Sequence, residues 1–304
     1  MRLLLPVLLL CLAITAHAES EQGIGGGYFI SHDSENFSTN ALSALYLPDF
    51  RHGSALGGVR ATFRDYSQKE WRRESQQVAV VMREVAPASG NGWQLDAGLS
   101  QQGHHNIITL DGSYHTPLAT GLGLDLFVNR DWVETRTALD RGIDFTFVGG
   151  SLDQTLGEHW TVVGVAGLQM FSDTNQREHY RARVVFQPWL DSGLTLQLRY
   201  RTYHSSKVAV GGSYFNPVNY DETLLAAGWR KRFEGWVFRT AAGFGQQHVN
   251  SSPATGTRLL ELQLDSPTRG DQSIRLRGGF SQSASFGGPN YRYAYLQGEW
   301  LMRF

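Results

Sequence analysis

The chain closes with 294-AYLQGEWLMRF-304. Gly298, Trp300, Met302 and Phe304 take every second position, and Gln297, Glu299, Leu301 and Arg303 alternate with them. A period of two places alternate side chains on opposite faces of an extended strand. One face of this strand is apolar and aromatic, the other mostly polar, and the apolar face runs to the last residue.

The same pattern recurs upstream. In LTLQLRYR, Leu194, Leu196, Leu198 and Tyr200 oppose Thr195, Gln197, Arg199 and Arg201. In LLELQLD, Leu260, Leu262 and Leu264 oppose Glu261, Gln263 and Asp265, and Leu122, Leu124, Leu126 and Val128 oppose Asp125, Asn129 and Asp131. Clusters such as PASGNG, LDSG and SSPATG separate the segments and read as turns. About 16 such segments are expected, among them 23–32, 139–151, 219–231 and 291–304. Apolar residues at helical three-and-four spacing are scarce.

Composition narrows the class. The net charge of -1 argues against a nucleic-acid partner. Met1-Arg2, an apolar run from Leu3 to Thr15 and Ala16-His17-Ala18 predict a signal peptide over residues 1–18. The single cysteine, Cys11, lies inside that segment, so the processed chain would have neither a disulfide nor a thiolate metal site. No later run reaches the roughly 18 apolar residues of a spanning helix. No linker divides residues 19–304, which read as one domain.

Period-two strands suit either a soluble sandwich or a transmembrane barrel whose apolar face meets lipid. Segment length favours the barrel, because a tilted strand crosses a bilayer in about 9–11 residues. So do the aromatics near segment ends, Trp93, Trp160, Tyr200, Trp236 and Trp300, placed as interfacial girdles. The expected fold is all-β: a transmembrane, antiparallel, up-and-down barrel of about 16 strands. The last strand, with Gly298, Trp300, Met302 and Phe304, resembles the C-terminal assembly signal of bacterial outer-membrane barrels. That resemblance implies an outer-membrane location, with membrane lipid and the barrel-assembly machinery as partners.

A second resemblance lies in GGSYFNPVNYDETLLAAGWRKRF, Gly211 to Phe233. It is similar to the barrel domains of the cellulose and poly-N-acetylglucosamine export porins, which have 16 strands. The chain lacks the 34-residue helical period of the tetratricopeptide scaffold that usually precedes those barrels. The resemblance implies exopolysaccharide export or assembly, with a polysaccharide and a separate periplasmic repeat scaffold as partners. Tyr214, Phe215 and Tyr220 offer flat faces for stacking on sugar rings, or else pack the loop itself. A small-solute porin and a plugged structural or receptor barrel are the alternatives.

Alternation also assigns the inner face. Asp96, Asp111, Asp125, Asp131 and Asp144 fall there in the first half, with Arg60 and Arg64. Arg181, Arg183, Arg199, Arg201, Arg239, Arg275 and Arg277 follow, interleaved with Glu222, Glu261 and Glu299. The expectation is an acidic wall facing a basic one. A strongly anionic polymer would call for a uniformly basic wall, which is not found. Ser100 and Ser113 face inward without an evident histidine partner, so no enzyme is expected. The short His104-His105 and His32–Glu35 clusters are too weak to imply a metal, and no cofactor is expected.

Overall fold

A computed structural model describes residues 21–304 apart from 87, 268–270 and 286–287. The expected signal segment, residues 1–18 with Cys11, lies outside the described residues. Sixteen strands form one closed antiparallel sheet. In chain order they are β1 Gly23–Asp33, β2 Phe37–His52, β3 Ala55–Gln68, β4 Trp71–Val85, β5 Gly92–Gln102, β6 His105–Ala119, β7 Leu122–Trp132 and β8 Asp144–Leu156. The second half comprises β9 Trp160–Phe171, β10 Gln176–Phe186, β11 Leu194–Ser205, β12 Asn219–Phe233, β13 Trp236–Val249, β14 Thr255–Asp265, β15 Gln272–Ser285 and β16 Gly288–Arg303. Each strand pairs with its sequence neighbours, and β16 closes on β1 with Gly23 opposite Arg303. Closure leaves no edge, so the ladder groups are satisfied without water. β1 begins and β16 ends at one mouth, called terminal here; the β1–β2, β7–β8 and β11–β12 connections lie at the other, called distal.

The outer face is oily. Leu42, Leu99, Ile108, Leu126, Leu225 and Phe244 all stand exposed on it, as do Trp93, Trp160, Tyr200 and Trp300. A belt of that extent would be an aggregation surface in water and suits hydrocarbon instead.

The inner face departs from the expected polar lining near the terminal mouth. Leu45, Leu47, Phe50, Leu56, Val81 and Leu301 form a buried apolar cluster there. Phe50 would face lipid by simple alternation. A register shift between Tyr46 and Asp49 sets Phe50 opposite Leu56 and turns it inward. Pro48, which has no N–H to give the ladder, lies within that shift. The room comes from β1. A Cβ on Gly23 would lie 2.9 Å from the Phe50 ring, and one on Gly25 would lie 2.6 Å from Leu301 Cδ2 and 2.8 Å from the Trp300 carbonyl.

β8 also starts five residues later than expected, at Asp144 rather than 139. A short helix, α1 (Arg136–Arg141), precedes it. The Thr135 hydroxyl caps its start by accepting from the Ala138 N–H at 3.2 Å. Gly142, at φ 65°, ends it in the left-handed conformation. The Ile143 N–H then returns to the Ala138 carbonyl at 2.9 Å.

Candidate functional site: the lumen and its distal mouth

The β7–β8 segment folds into the distal mouth. Trp132 leaves the end of β7 and donates its indole N–H to Ser100 Oγ at 3.0 Å. Leu139 of α1 is fully buried against Phe37, Tyr66, Ile107 and Trp132. Gln102 donates to the Leu139 carbonyl at 2.8 Å, and Asp140 accepts from the Trp71 indole at 3.0 Å and from Arg73. From the other side the β11–β12 connection closes on the same segment. Thr135 donates to the Ser213 carbonyl, and Arg141 Nη1 donates to Ser213 Oγ at 2.8 Å.

Glu134, just before α1, accepts from the Tyr66 hydroxyl at 3.3 Å. It stands exposed to the water of the mouth, ringed by the barrel wall. Enclosure pushes its carboxyl up to about 7; the Arg64 guanidinium opposes the rise and Asp131 adds to it.

The lumen below is a wall of arginines and acids. Arg60 meets Asp96 at 2.5 Å, Arg64 meets Asp131 at 3.4 Å, and Arg83 meets Glu299 at 3.6 Å. Asp111 accepts from Asn129 at 2.9 Å. In the second half Arg199 meets Glu261 at 3.0 Å, Arg201 pairs with Glu222, and Asp265 takes both Arg239 and Arg275. The expected acidic wall is thus neutralised in part by arginines from its own half, Arg60 and Arg64 answering Asp96 and Asp131; Asp144, expected inside, shares the outer face of Val148 and Leu152 and meets Arg130 there at 3.2 Å.

Three cavities divide the space. One of about 330 Å³ lies among Arg60, Arg64, Asp96, Asp111, Arg275 and Arg277. Another of about 780 Å³ touches Asp125, Asp153, Arg181, Arg183, Arg201 and Glu261. A third, of about 480 Å³, touches Arg183, Arg230, Arg239, Glu261 and Arg277. On the wall of the 780 Å³ cavity His115, Asp125 and Asp153 bring their ligand-type atoms within 4.8 Å of one another.

Rings line the inner wall as well. Phe127 lies 5.2 Å from Phe147, Phe147 5.1 Å from His179, His179 5.3 Å from Tyr203, and Tyr203 4.8 Å from Tyr220, centroid to centroid. The series crosses the wall from β7 to β12. The Phe147 ring lies over Gly167, where a Cβ would come within 2.6 Å of it.

No protein-family model matches the sequence, and no curated protein does. Among solved structures the chain superposes on a bacterial polysaccharide outer membrane secretin with a TM-score of 0.69. The match covers 95% of this chain and 100% of that one at 12% identity. The fold is the outer-membrane β-barrel. OccAB3 of Acinetobacter baumannii (TM-score 0.46, 10% identity, 95% and 100% covered) and OprD of Pseudomonas aeruginosa (0.45, 11%, 95% and 96%) superpose less closely.

Two of the three expected stacking residues of this outer-membrane barrel are corrected by the geometry. Tyr214 is buried and lies 4.4 Å from Phe171 at an interplanar angle of 10°. Its hydroxyl meets Asp173 at 2.9 Å and Asn175 at 3.1 Å. Tyr220 is buried too, stacked on Tyr203 and hydrogen-bonded to Glu222 at 2.7 Å and Gln247 at 2.9 Å. Both rings are part of the wall. Phe215 is half-buried, lines a further cavity of about 360 Å³ at the distal mouth, and its carbonyl accepts from Arg177 at 2.8 Å.

Phe127, Phe147 and Tyr203 were missed because aromatics were read as lipid-facing. Their parity carried the signal: Phe127 lies between Asp125 and Asn129, and Tyr203 follows Arg199 and Arg201 at steps of two. The C-terminal residues lie along the closing seam, Gly26 opposite Trp300 and Ile24 opposite Met302, and the Phe304 N–H donates to the Gln22 carbonyl at 2.9 Å. His32 Nδ1 lies 2.8 Å from Ser38 Oγ on the exposed rim, and neither residue lines the cavities above.

Proposed function

We propose that this outer-membrane barrel is a conduit for a sugar chain and makes or breaks no bond. The observation that carries the reading is the inner ring series set beside the arginine–carboxylate wall. Sugar rings have apolar C–H faces that aromatic side chains cover and hydroxyl rims that guanidinium and carboxylate groups bind. Phe127 and Phe147 supply the first kind of surface, half-buried in the wall; Tyr203, stacked on Tyr220 and covered by the Arg177 guanidinium at 4.6 Å, packs the wall. The Arg199–Glu261 and Arg201–Glu222 pairs supply the second. A polymer made elsewhere would enter at the terminal mouth, handed over by a separate periplasmic scaffold, and leave past α1.

The test is current through single barrels in planar bilayers. Linear oligosaccharides of increasing length, added on one side, should produce blockades that lengthen with the chain. Blockades independent of chain length would overturn the reading.

A second reading, a small-solute channel, is favoured by the inward-folded Thr135–Gly142 segment. It narrows the lumen as a porin's constricting loop does, and the sequence pattern alone had placed no such segment there. In the same measurement this reading expects steady conductance and rapid passage of single sugars.

A further inference from the structure

Three pairs of arginines face each other directly across the inner ladder: Arg181 and Arg201, Arg183 and Arg199, Arg230 and Arg239. Like charges directly opposite destabilise a sheet, so the arrangement works against the wall's own stability three times. The pairs are built alike. In each, one member is held by a carboxylate: Arg201 by Glu222, Arg199 by Glu261, Arg239 by Asp265. The other member, Arg181, Arg183 or Arg230, has no ion pair and no side-chain hydrogen bond among the described residues. These three free guanidinium groups are connected through open space. Arg181 and Arg183 share the 780 Å³ cavity, and Arg183 and Arg230 share the 480 Å³ cavity.

We propose that Arg181, Arg183 and Arg230 form a binding track for successive anionic groups, carboxylate or phosphate, carried by the chain that passes. This rests on the conduit reading and adds the charge of its cargo. The expectation from the sequence was that an anionic polymer needs a uniformly basic wall. The pairing pattern relaxes that requirement: Glu222, Glu261 and Asp265 are held by Arg201, Arg199 and Arg239, and the unpaired cations are arrayed along one side, while Asp125 and Asp153 line the 780 Å³ cavity from β7 and β8. A planar guanidinium takes a carboxylate or phosphate through two parallel N–H···O bonds. An anion seated between facing arginines also relieves their mutual repulsion.

The experiment uses the full barrel in detergent at low ionic strength, where surface charges are least screened. The probes are oligogalacturonate, a neutral cello-oligosaccharide of equal length, monomeric galacturonic acid and inorganic phosphate. The variant is Arg181→Gln, Arg183→Gln, Arg230→Gln. Oligogalacturonate should bind the wild type well above the neutral chain, and the variant should bind it about 10- to 100-fold more weakly, as the loss of charge-assisted hydrogen bonds requires. Monomer and phosphate separate a free small anion from a chain: the track is expected to favour the chain, since it spans two cavities. Thermal unfolding is the second readout. Phosphate should raise the unfolding temperature of the wild type and leave that of the variant unchanged, while the variant without added anion should be at least as stable as the wild type.

Equal affinity of wild type and variant for oligogalacturonate, or equal binding of acidic and neutral chains, overturns the track. Acid binding at these arginines without length-dependent blockade leaves the track standing and removes the conduit. Blockade by neutral chains alone does the reverse.

Discussion

Arg64 of β3 reaches Asp131 of β7 at 3.4 Å, four strands away around the wall. The contact is a chord across the distal half of the lumen, and the β7–β8 segment follows directly from it. A segment held by Trp132, Leu139 and Asp140 to inner-face partners, and by Thr135 and Arg141 to Ser213 on the other side, is a stopper fixed at two edges.

Weakening that hold should open the channel. Leu139→Ala removes a fully buried side chain, a loss of about 2–5 kcal/mol when the cavity does not collapse. The barrel itself should survive, because its ladder is untouched. Single-channel conductance should rise, and hydrogen exchange at α1 should quicken while strand amides stay protected. Unchanged conductance with quickened exchange would show that the segment does not limit flow.

The stopper should also respond to pH. Glu134 ordinarily titrates near 4.5, and in the folded mouth it is pushed towards about 7. A raised carboxyl favours the protonated form in the folded state, so its contribution is fully present below about 4.5 and is lost as pH rises towards 7. The groups facing it are Arg64, Asp131 and Tyr66. Exchange at residues 133–143 is expected to accelerate across that window, and Glu134→Gln should flatten the dependence. A wild-type profile that is already flat would contradict the assignment.

The ring series bears on neutral sugars. Phe127→Ala and Phe147→Ala should each shorten oligosaccharide blockades several-fold, from a loss of about 0.5–1.5 kcal/mol per ring contact. Tyr214→Ala, whose ring is covered by Phe171, should leave blockade kinetics alone and lower the order of the β11–β12 connection instead. The pair of outcomes separates rings that meet cargo from rings that pack the wall.

The closing seam offers a contrast between two glycines. A Cβ on Gly27 would meet only Ser43 Oγ at 2.5 Å, an atom that can rotate away. A Cβ on Gly25 would meet the Trp300 carbonyl at 2.8 Å, which cannot. Gly27→Ala should assemble normally, and Gly25→Ala should cost about 1–3 kcal/mol through overpacking. The fraction of heat-modifiable, folded protein on gels reads this directly. Deleting Phe304, which bonds back to Gln22 through its N–H, should lower the yield of assembled barrel without changing the unfolding temperature of what does assemble.

Alternation made the barrel legible because lipid outside and water inside act on every strand alike. In β11, Leu196, Leu198 and Tyr200 face out while Arg199 and Arg201 face in, as the pattern reads. It said less about what fills the inside. β1 reads weakly because its glycines make room for Phe50 and Leu301, which come from other strands. α1 was open to reading, since Thr135 and Gly142 bracket it as start and stop signals. Its short length let the strand pattern absorb it. The inward turn of Trp132 left no trace in periodicity, because it depends on Ser100 waiting on β5. Tyr214 and Tyr220 looked available because a loop sequence does not reveal which neighbours will cover its rings.

The bare stretch Gly25-Gly26-Gly27 has a consequence for how the ring is shut. Those residues present no knobs, so the first strand cannot by itself choose which part of the last strand it meets. At the terminal end the fit is made by Leu301 and Phe50, and farther along by Phe29 stacked on Tyr295; Phe50 points inward beyond the corner at Pro48. The fit of the seam at its terminal end thus depends on the second strand as well as on the two strands that meet there, and it runs through the corner at Pro48.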